Sequence, residues 1–311
     1  MIVLSDNANT HWQLWEYEQP DVCLVFLKNW HEELVERHSL NLDWRANELV
    51  EKVASKCNNT VVVTHSGGVN VLPWADHPNV TAILAAHYPG QETGNAITDV
   101  LYGKVNPSAK LPYTIAYNES DYAALPTTSV NTTGPDDWQS YFDENLEIDY
   151  GYFDAHNISV RYEFGFDLSY TTFNLSDVKT VSLSSEHITA RPKEQKIAPG
   201  GNPALFEPLY NVSASIANSG ERHGGTVAQL YVTFPKSSPT GTPPKQLRGF
   251  DKVFLRKYET KTVSFALMRR DLSYWDIEAQ DWIIPKGEFT LSVSFSSRDL
   301  KEVIKIAPLP G

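Results

Sequence analysis

Apolar residues recur along this chain with two different periods. Asp21–Leu27 (DVCLVFL) is a nearly continuous apolar run of strand length. Asp43–Cys57 then sets Ala46, Leu49, Val50 and Val53 at the i, i+3, i+4, i+7 spacing of an amphipathic helix. Thr60–Thr64 (TVVVT) and Val80–Ala85 (VTAILA) repeat the buried-strand pattern. Gln91–Tyr102 places Ile97, Val100 and Leu101 on one helical face, with Gly103 as its stop. Apolar strands alternating with helices predict an α/β domain, here an incomplete α/β sandwich with a mostly parallel sheet covered on both faces.

From about Pro112 to Asp149 the pattern dissolves into Asn, Ser, Thr, Pro and Asp, as expected of a long loop or interdomain connection. Beyond it the period becomes two. Ala228, Leu230, Val232 and Phe234 point one way and Val227, Gln229, Tyr231 and Thr233 the other, so one face packs and the other is mixed. Val263, Phe265 and Leu267 alternate in the same manner, as do Phe289, Leu291, Val293 and Phe295. These strands predict an all-β, antiparallel sandwich at the end of the chain. The expected division is an α/β domain over 1–117, an extended connection over 118–170 and a sandwich over 171–311.

Composition narrows the partners. The 311 residues carry 26 Lys and Arg against 38 Asp and Glu, and a net charge of −12 repels phosphate backbones and anionic lipid surfaces. Neither nucleic acid nor membrane is expected as a partner, and the apolar runs fall short of the roughly 18 residues of a membrane span. Met1–Thr10 has no basic segment ahead of Ile2, Val3 and Leu4, so it does not read as a signal peptide. Asn-x-Ser/Thr acceptors at Asn58, Asn79, Asn118, Asn131, Asn157, Asn174 and Asn211 nonetheless favour a secretory route. Cys23 lies in the first strand and Cys57 just before the second; they form either one disulfide or a pair of small buried hydrophobes.

Most catalytic signatures are missing. The sequence contains no phosphate-binding loop, no G-x-G-x-x-G and no G-x-S-x-G, and no cofactor is expected. His31-Glu32-Glu33-Leu34-Val35 begins like a zinc-protease helix, but Val35 stands where the second histidine belongs, so no metal is expected there. His65-Ser66-Gly67-Gly68 reads either as a nucleophilic serine beside a base or as a tight glycine turn at a strand end. Asp143–Asp149 lacks the alternating ligands and central glycine of a calcium loop and reads as a solvated acidic turn. Asn29–Arg37 (NWHEELVER) carries three carboxylates directly after the first strand, where ligands gather in parallel α/β sheets; its alternative is a charged surface loop.

Longer motifs carry a family resemblance. His77–Thr114, with Pro89-Gly90-Gln91-Glu92, Asn106-Pro107-Ser108 and Lys110-Leu111-Pro112, resembles the second domain of glycoside hydrolase family 3, particularly fungal β-glucosidases. Arg161–Phe173 resembles the segment leading into that family's fibronectin type III-like domain, and Pro243–Phe254 and Arg270–Trp282 resemble the domain itself. The likeness runs from about residue 20 to the end.

The resemblance implies a retaining β-glucosidase acting on a β-glucoside or oligosaccharide, secreted and independent of cofactors. Similar enzymes carry, after this strand, a Trp, then a Glu between two glycines, then an acidic residue and Arg. Aligning Trp30 and Arg37 makes Glu33 the acid/base, with Glu32 as the alternative, and Trp30 a residue that stacks on a sugar face or anchors the loop. A retaining glycosidase needs one carboxyl group to protonate the departing oxygen and a second, about 5–5.5 Å away, to attack the anomeric carbon. Two departures stand out. Glu32 and Leu34 replace the usual glycines, which stiffens the loop and sets a second carboxylate beside the first. The N-terminal barrel that holds the nucleophile and most glucose contacts in the family has no counterpart before residue 20, and neither does the strand that opens the α/β domain. The chain alone is expected to hydrolyse little or nothing, and a noncatalytic carbohydrate-binding or protein-docking module is the alternative. β-Xylosidase specificity fits the same residues.

Overall fold

The computed structural model describes residues 20–30, 32–33, 37–124, 141–185 and 187–309; the Met1–Thr10 stretch, His31, Leu34, Val35 and Asn131, all singled out above, lie outside them. The chain forms two compact units, both discontinuous in sequence. One comprises Met1–Tyr102, Ile115–Asp143 and Ser159–Tyr162, and the other Gly103–Thr114, Glu144–Ile158 and Glu163–Gly311. The stretch expected as a connection over 118–170 thus contributes to both.

In the first unit β1 (Cys23–Lys28), β2 (Thr60–His65) and β3 (Val80–Ala85) form a parallel sheet in that order, with Val25 opposite Val62 and Val62 opposite Ile83. Helix α1 (Ala46–Ala54) connects β1 to β2 and buries Ala46 and Val50 of the stripe read from the sequence together with Ala54, while Leu49 and Val53 of that stripe are half-buried. Along β1 the burial alternates: Cys23, Val25 and Leu27 are enclosed, whereas Leu24 and Phe26 remain exposed. The expectation of a sheet covered on both faces therefore holds for one face of β1 among the described residues. Helix α2 (Thr93–Leu101) follows β3, and a short antiparallel pair, β4 (Ile115–Ala116) with β5 (Val160–Tyr162), completes the unit. Cys23 and Cys57 are joined by a disulfide that ties the start of β1 to the turn after α1.

The second unit contains helix α3 (Tyr150–Ala155) and strands β6 (Phe173–Ser182), β7 (Pro208–Asn218), β8 (Gly224–Thr233), β9 (Gln246–Leu255), β10 (Thr260–Met268), β11 (Tyr274–Asp276), β12 (Asp281–Ile283), β13 (Phe289–Ser294) and β14 (Leu300–Ile306). Two antiparallel sheets, ordered β10-β7-β6 and β14-β13-β8-β9, enclose one core, and β11 and β12 form a separate hairpin. Val212, Ile216, Leu230, Val232, Val263, Leu267, Phe289 and Leu291 are at most 1% exposed. Each such side chain contributes about 1.5–3 kcal/mol by leaving water.

The other face of β8 is covered too. Gln229 donates to the carbonyls of Gly165 and Phe295, Tyr231 donates to Gln229 Oε1, and the Tyr231 ring meets the edge of Tyr150 on α3. Asp154 of α3 pairs with both Lys245 and Arg298. Asp149, read from the sequence as part of a solvated acidic turn, instead faces inward. Its carboxylate accepts from the Thr114 amide and hydroxyl, each at 2.8 Å, and from the Tyr150 amide at the start of α3. Its backbone, at φ 50° and ψ −125°, is a conformation that residues with a Cβ rarely adopt.

Candidate active-site loop

The parallel sheet brings three loops to its carboxyl end. After β1 the Asn29 amide continues the ladder to the His65 carbonyl at 2.9 Å, after which the chain leaves the sheet. Asp43 closes the excursion. Its amide donates to the Lys28 carbonyl at 3.2 Å, and its carboxylate accepts from the Trp30 amide at 2.5 Å. Trp44 and Arg45 then both adopt positive φ (53° and 58°), reversing the chain into α1 and leaving the Trp44 ring half exposed, with Lys28 Nζ 4.6 Å from its centre.

The far flank of the loop is fixed from two sides. Arg37 donates through Nη1 to the Val69 carbonyl at 2.8 Å and through Nη2 to Asn70 Oδ1 at 2.9 Å. Glu119 Oε1 accepts from the Leu40 amide at 2.7 Å, the Asn41 amide at 3.1 Å, the Asn41 side chain and the Ser39 hydroxyl. Charge-assisted bonds of this kind are roughly twice as strong as neutral ones. Between these anchors Glu32 and Glu33 stand exposed, Glu33 within a turn.

Ser66 supports this loop. Only 3% exposed, its hydroxyl lies 3.4 Å from Asn29 Oδ1, 3.0 Å from the Gly68 carbonyl and 3.3 Å from Asn70 Oδ1. The neighbouring His65 Nε2 is buried without a hydrogen-bond partner, and its ring lies beside Phe26 at 6.5 Å. An enclosed hydroxyl that no base touches is not a nucleophile, so the glycine-turn reading describes this segment. From the third loop the Tyr88 hydroxyl donates to the Asn29 carbonyl at 3.3 Å. Trp30, Trp44 and Tyr88, at 56%, 52% and 58% exposure, offer flat apolar faces on loops that leave β1 and β3.

Chemically the arrangement supplies an accessible carboxyl group and aromatic faces for a sugar ring. The nearby Asp43 carboxylate is committed to holding the loop. Among the described residues no three His, Cys, Asp or Glu side chains gather as a metal site. The sequence pattern does not point to Tyr88 or Glu119, and it gives Asn29 only as the first residue of the polar loop. Asn29 and Tyr88 stand just past strand ends, where the rule on carboxyl ends points, whereas Glu119 comes from a distant segment with no local signal.

The acceptor asparagines differ in surroundings. Asn58, Asn118, Asn157 and Asn174 are exposed. Asn79 Nδ2 donates to the Ala54 carbonyl at 2.8 Å, and Asn211 is half-buried on the central strand β7.

Comparison with known proteins places the chain in a family. Residues 7–170 match the glycosyl hydrolase family 3 C-terminal domain, and residues 226–297 match the fibronectin type III-like domain. The chain is 67% identical over 296 residues to the "Probable beta-glucosidase G" of Aspergillus flavus, covering 95% of this chain and 36% of that protein. It is 48% identical over 282 residues to the "Probable beta-glucosidase M" of Aspergillus niger, covering 90% and 36%. The crystal structure of the beta-D-glucoside glucohydrolase from Trichoderma reesei superposes with a TM-score of 0.85 at 39% identity, over 97% of this chain and 42% of that one. The Chaetomium thermophilum beta-glucosidase gives 0.87 at 31% identity, over 96% and 45%. The chain thus spans little more than a third of the length of these curated relatives. It belongs to glycosyl hydrolase family 3, of which it carries the C-terminal α/β domain and the fibronectin type III-like sandwich.

Proposed function

We propose that this chain is the acid/base-bearing portion of a β-glucosidase-type glycoside hydrolase that cleaves terminal β-D-glucosyl residues with retention. The observation that carries this reading is the Glu32-Glu33 loop, held at the carboxyl end of a parallel sheet by Asp43, Arg37 and Glu119 and accompanied by exposed Trp30. Glu33 donates its proton to the glycosidic oxygen as the bond breaks and later takes one from the attacking water. Trp30 stacks on the leaving-group sugar. The nucleophile and most glucose contacts come from a family 3 barrel, without which the two-carboxylate mechanism does not run.

The test is a fusion of this chain behind such a barrel. Glu33→Ala lowers kcat on cellobiose about 10²–10⁴-fold, and azide, a nucleophile that needs no base, restores turnover of an activated aryl glucoside. Loss and azide rescue in Glu32→Ala instead would move the role to Glu32. Hydrolysis by the chain alone, abolished in Glu33→Ala, would overturn the requirement for a barrel.

Trp30, Trp44 and Tyr88 also favour a second reading, a module that binds glycans without cleaving them. Binding of cello-oligosaccharides by a fusion that hydrolyses no aryl β-glucoside would select it. Secretion accompanies either reading, with N-glycans on the exposed Asn58, Asn118, Asn157 and Asn174; peptide mapping after secreted expression in a fungal host checks these positions.

A further inference from the structure

The sandwich unit carries a cleft of about 720 Å³ in which charge runs against the chain as a whole. Lys104, Arg222, Arg256 and Lys257 line it together with His223, against one carboxylate, Glu221. Four cations less one anion leave the lining at +3, and Glu259, which accepts from the Arg256 amide, lowers the local balance to +2, whereas acids outnumber bases 38 to 26 over the whole chain. Glu221 is itself engaged by Lys257 Nζ and the Tyr258 hydroxyl.

The cleft is held in shape by defined contacts. Gly103, at φ +72°, lies where an added Cβ would come 2.8 Å from Arg222 Nη1, so the absent side chain makes room for the guanidinium, which also lies 5.9 Å from the Tyr170 ring. Asn106 Nδ2 donates to the His223 carbonyl at 3.2 Å, while its Oδ1 accepts from the Ser169 hydroxyl and the Tyr170 amide, both at 2.9 Å. An added Cβ at Gly224 would come 2.3 Å from Asn106 Nδ2, so only glycine permits that approach. Beside the cations stands Phe254, 57% exposed, its ring centre 5.7 Å from that of His223; its cross-strand partner, Gly225, lays no side chain over it.

Guanidinium groups recognise carboxylates bidentately, and an exposed aromatic face takes the C–H face of a pyranose ring. The volume falls within the roughly 300–1,000 Å³ of small-ligand clefts. We propose that this cleft binds the uronic-acid units of a short acidic glycan, the carboxylates held by Arg222 and Arg256 and a sugar face laid on Phe254. This is a second carbohydrate site, on the sandwich unit, and it does not depend on the Glu33 reading.

Calorimetric titration of the intact chain with tri-galacturonate, cellotriose and inorganic phosphate tests it. Tri-galacturonate is expected to bind one per chain and to weaken as salt is raised. Arg256→Gln weakens it about tenfold or more, and Phe254→Ala about threefold to tenfold. Arg222 also packs on Gly103 and Tyr170, so Arg256→Gln and Phe254→Ala decide the outcome, with thermal unfolding as the check that both fold. Cellotriose binding as tightly as tri-galacturonate would overturn the proposal. So would phosphate binding as tightly as the trisaccharide with no effect of Phe254→Ala, or unchanged affinity in both variants.

Discussion

The Asp43 carboxylate accepts a hydrogen bond from the Trp30 amide at 2.5 Å, joining residues thirteen positions apart and closing the loop that presents Glu32 and Glu33. The bond is exposed, so its contribution is to loop geometry more than to global stability. Asp43→Ala is expected to speed exchange of the Trp30 amide about tenfold and to lower kcat of a barrel-fused enzyme at least as much, with Tm nearly unchanged. Unchanged exchange at Trp30 would refute the clasp.

Asp149 occupies strained backbone while accepting three hydrogen bonds, from the Thr114 amide and hydroxyl and the Tyr150 amide. Removing the carboxylate forfeits those bonds and keeps the strain. Asp149→Ala should cost about 2–4 kcal/mol, measured by urea unfolding, and Asp149→Gly less, because glycine accepts that conformation. Equal costs would argue that the strain contributes nothing.

Burial pushes the Tyr231 phenol far up from its ordinary value, and burial also raises Tyr150, which packs beside it. A folded pKa above the unfolded one means that stability is fully present below about pH 10 and is lost progressively as pH rises beyond it, where only the unfolded chain ionises. Denaturant unfolding between pH 8 and 11.5 should therefore show falling stability above about pH 10. Tyr231→Phe should shallow that fall while costing stability at pH 8, because Gln229 Oε1 loses its donor.

The disulfide between Cys23 and Cys57 spans 34 residues and bridges β1 to the turn that precedes β2. Iodoacetamide should label neither sulfur in the unfolded, unreduced chain and both after reduction. Cys57→Ser should cost about 2–4 kcal/mol in the sheet unit. Labelling before reduction would leave the two residues as buried thiols.

Where burial acts on contiguous residues, the sequence was legible. The runs at Thr60–His65 and Val80–Ala85 became strands within a residue of their expected ends; burial of several consecutive positions explains the apolar run of the central strand, whereas the edge run Val80–Ala85 is at most half-buried and was legible from its apolar residues alone. Residues 173–182, 208–218, 246–255 and 300–306 were not singled out as strands. In 173–182, 246–255 and 300–306 the burial pattern is weaker or interrupted, as at Leu300–Ile306 with one buried residue; 208–218 does alternate from Val212 to Asn218, but its buried positions include the small Ala214 and the polar Asn218.

Periodicity misled at β8. Gln229 and Tyr231 lie on the face expected to be mixed, yet both are buried, Gln229 bonding the Gly165 carbonyl and Tyr231 meeting the edge of Tyr150. No local pattern encodes a partner some sixty or more residues away.

By itself the sequence determined the order of strand and helix in the α/β unit, the sandwich strands with clean alternation, and, through its long motifs, family 3 membership and the place of Glu33 after the first strand. Those are properties of neighbouring residues, or of strings long enough to compare. Only the tertiary structure decided that Asp43, Arg37 and Glu119 hold the Glu33 loop, that Ser66 is a scaffold hydroxyl, that Asp149 turns inward, and that Lys104, Arg222 and Arg256 converge in one cleft. The reason is physical: hydrogen bonds and ion pairs act over a few ångströms, and which polar groups come that close is set by how the strands pair and the loops fold back within each unit.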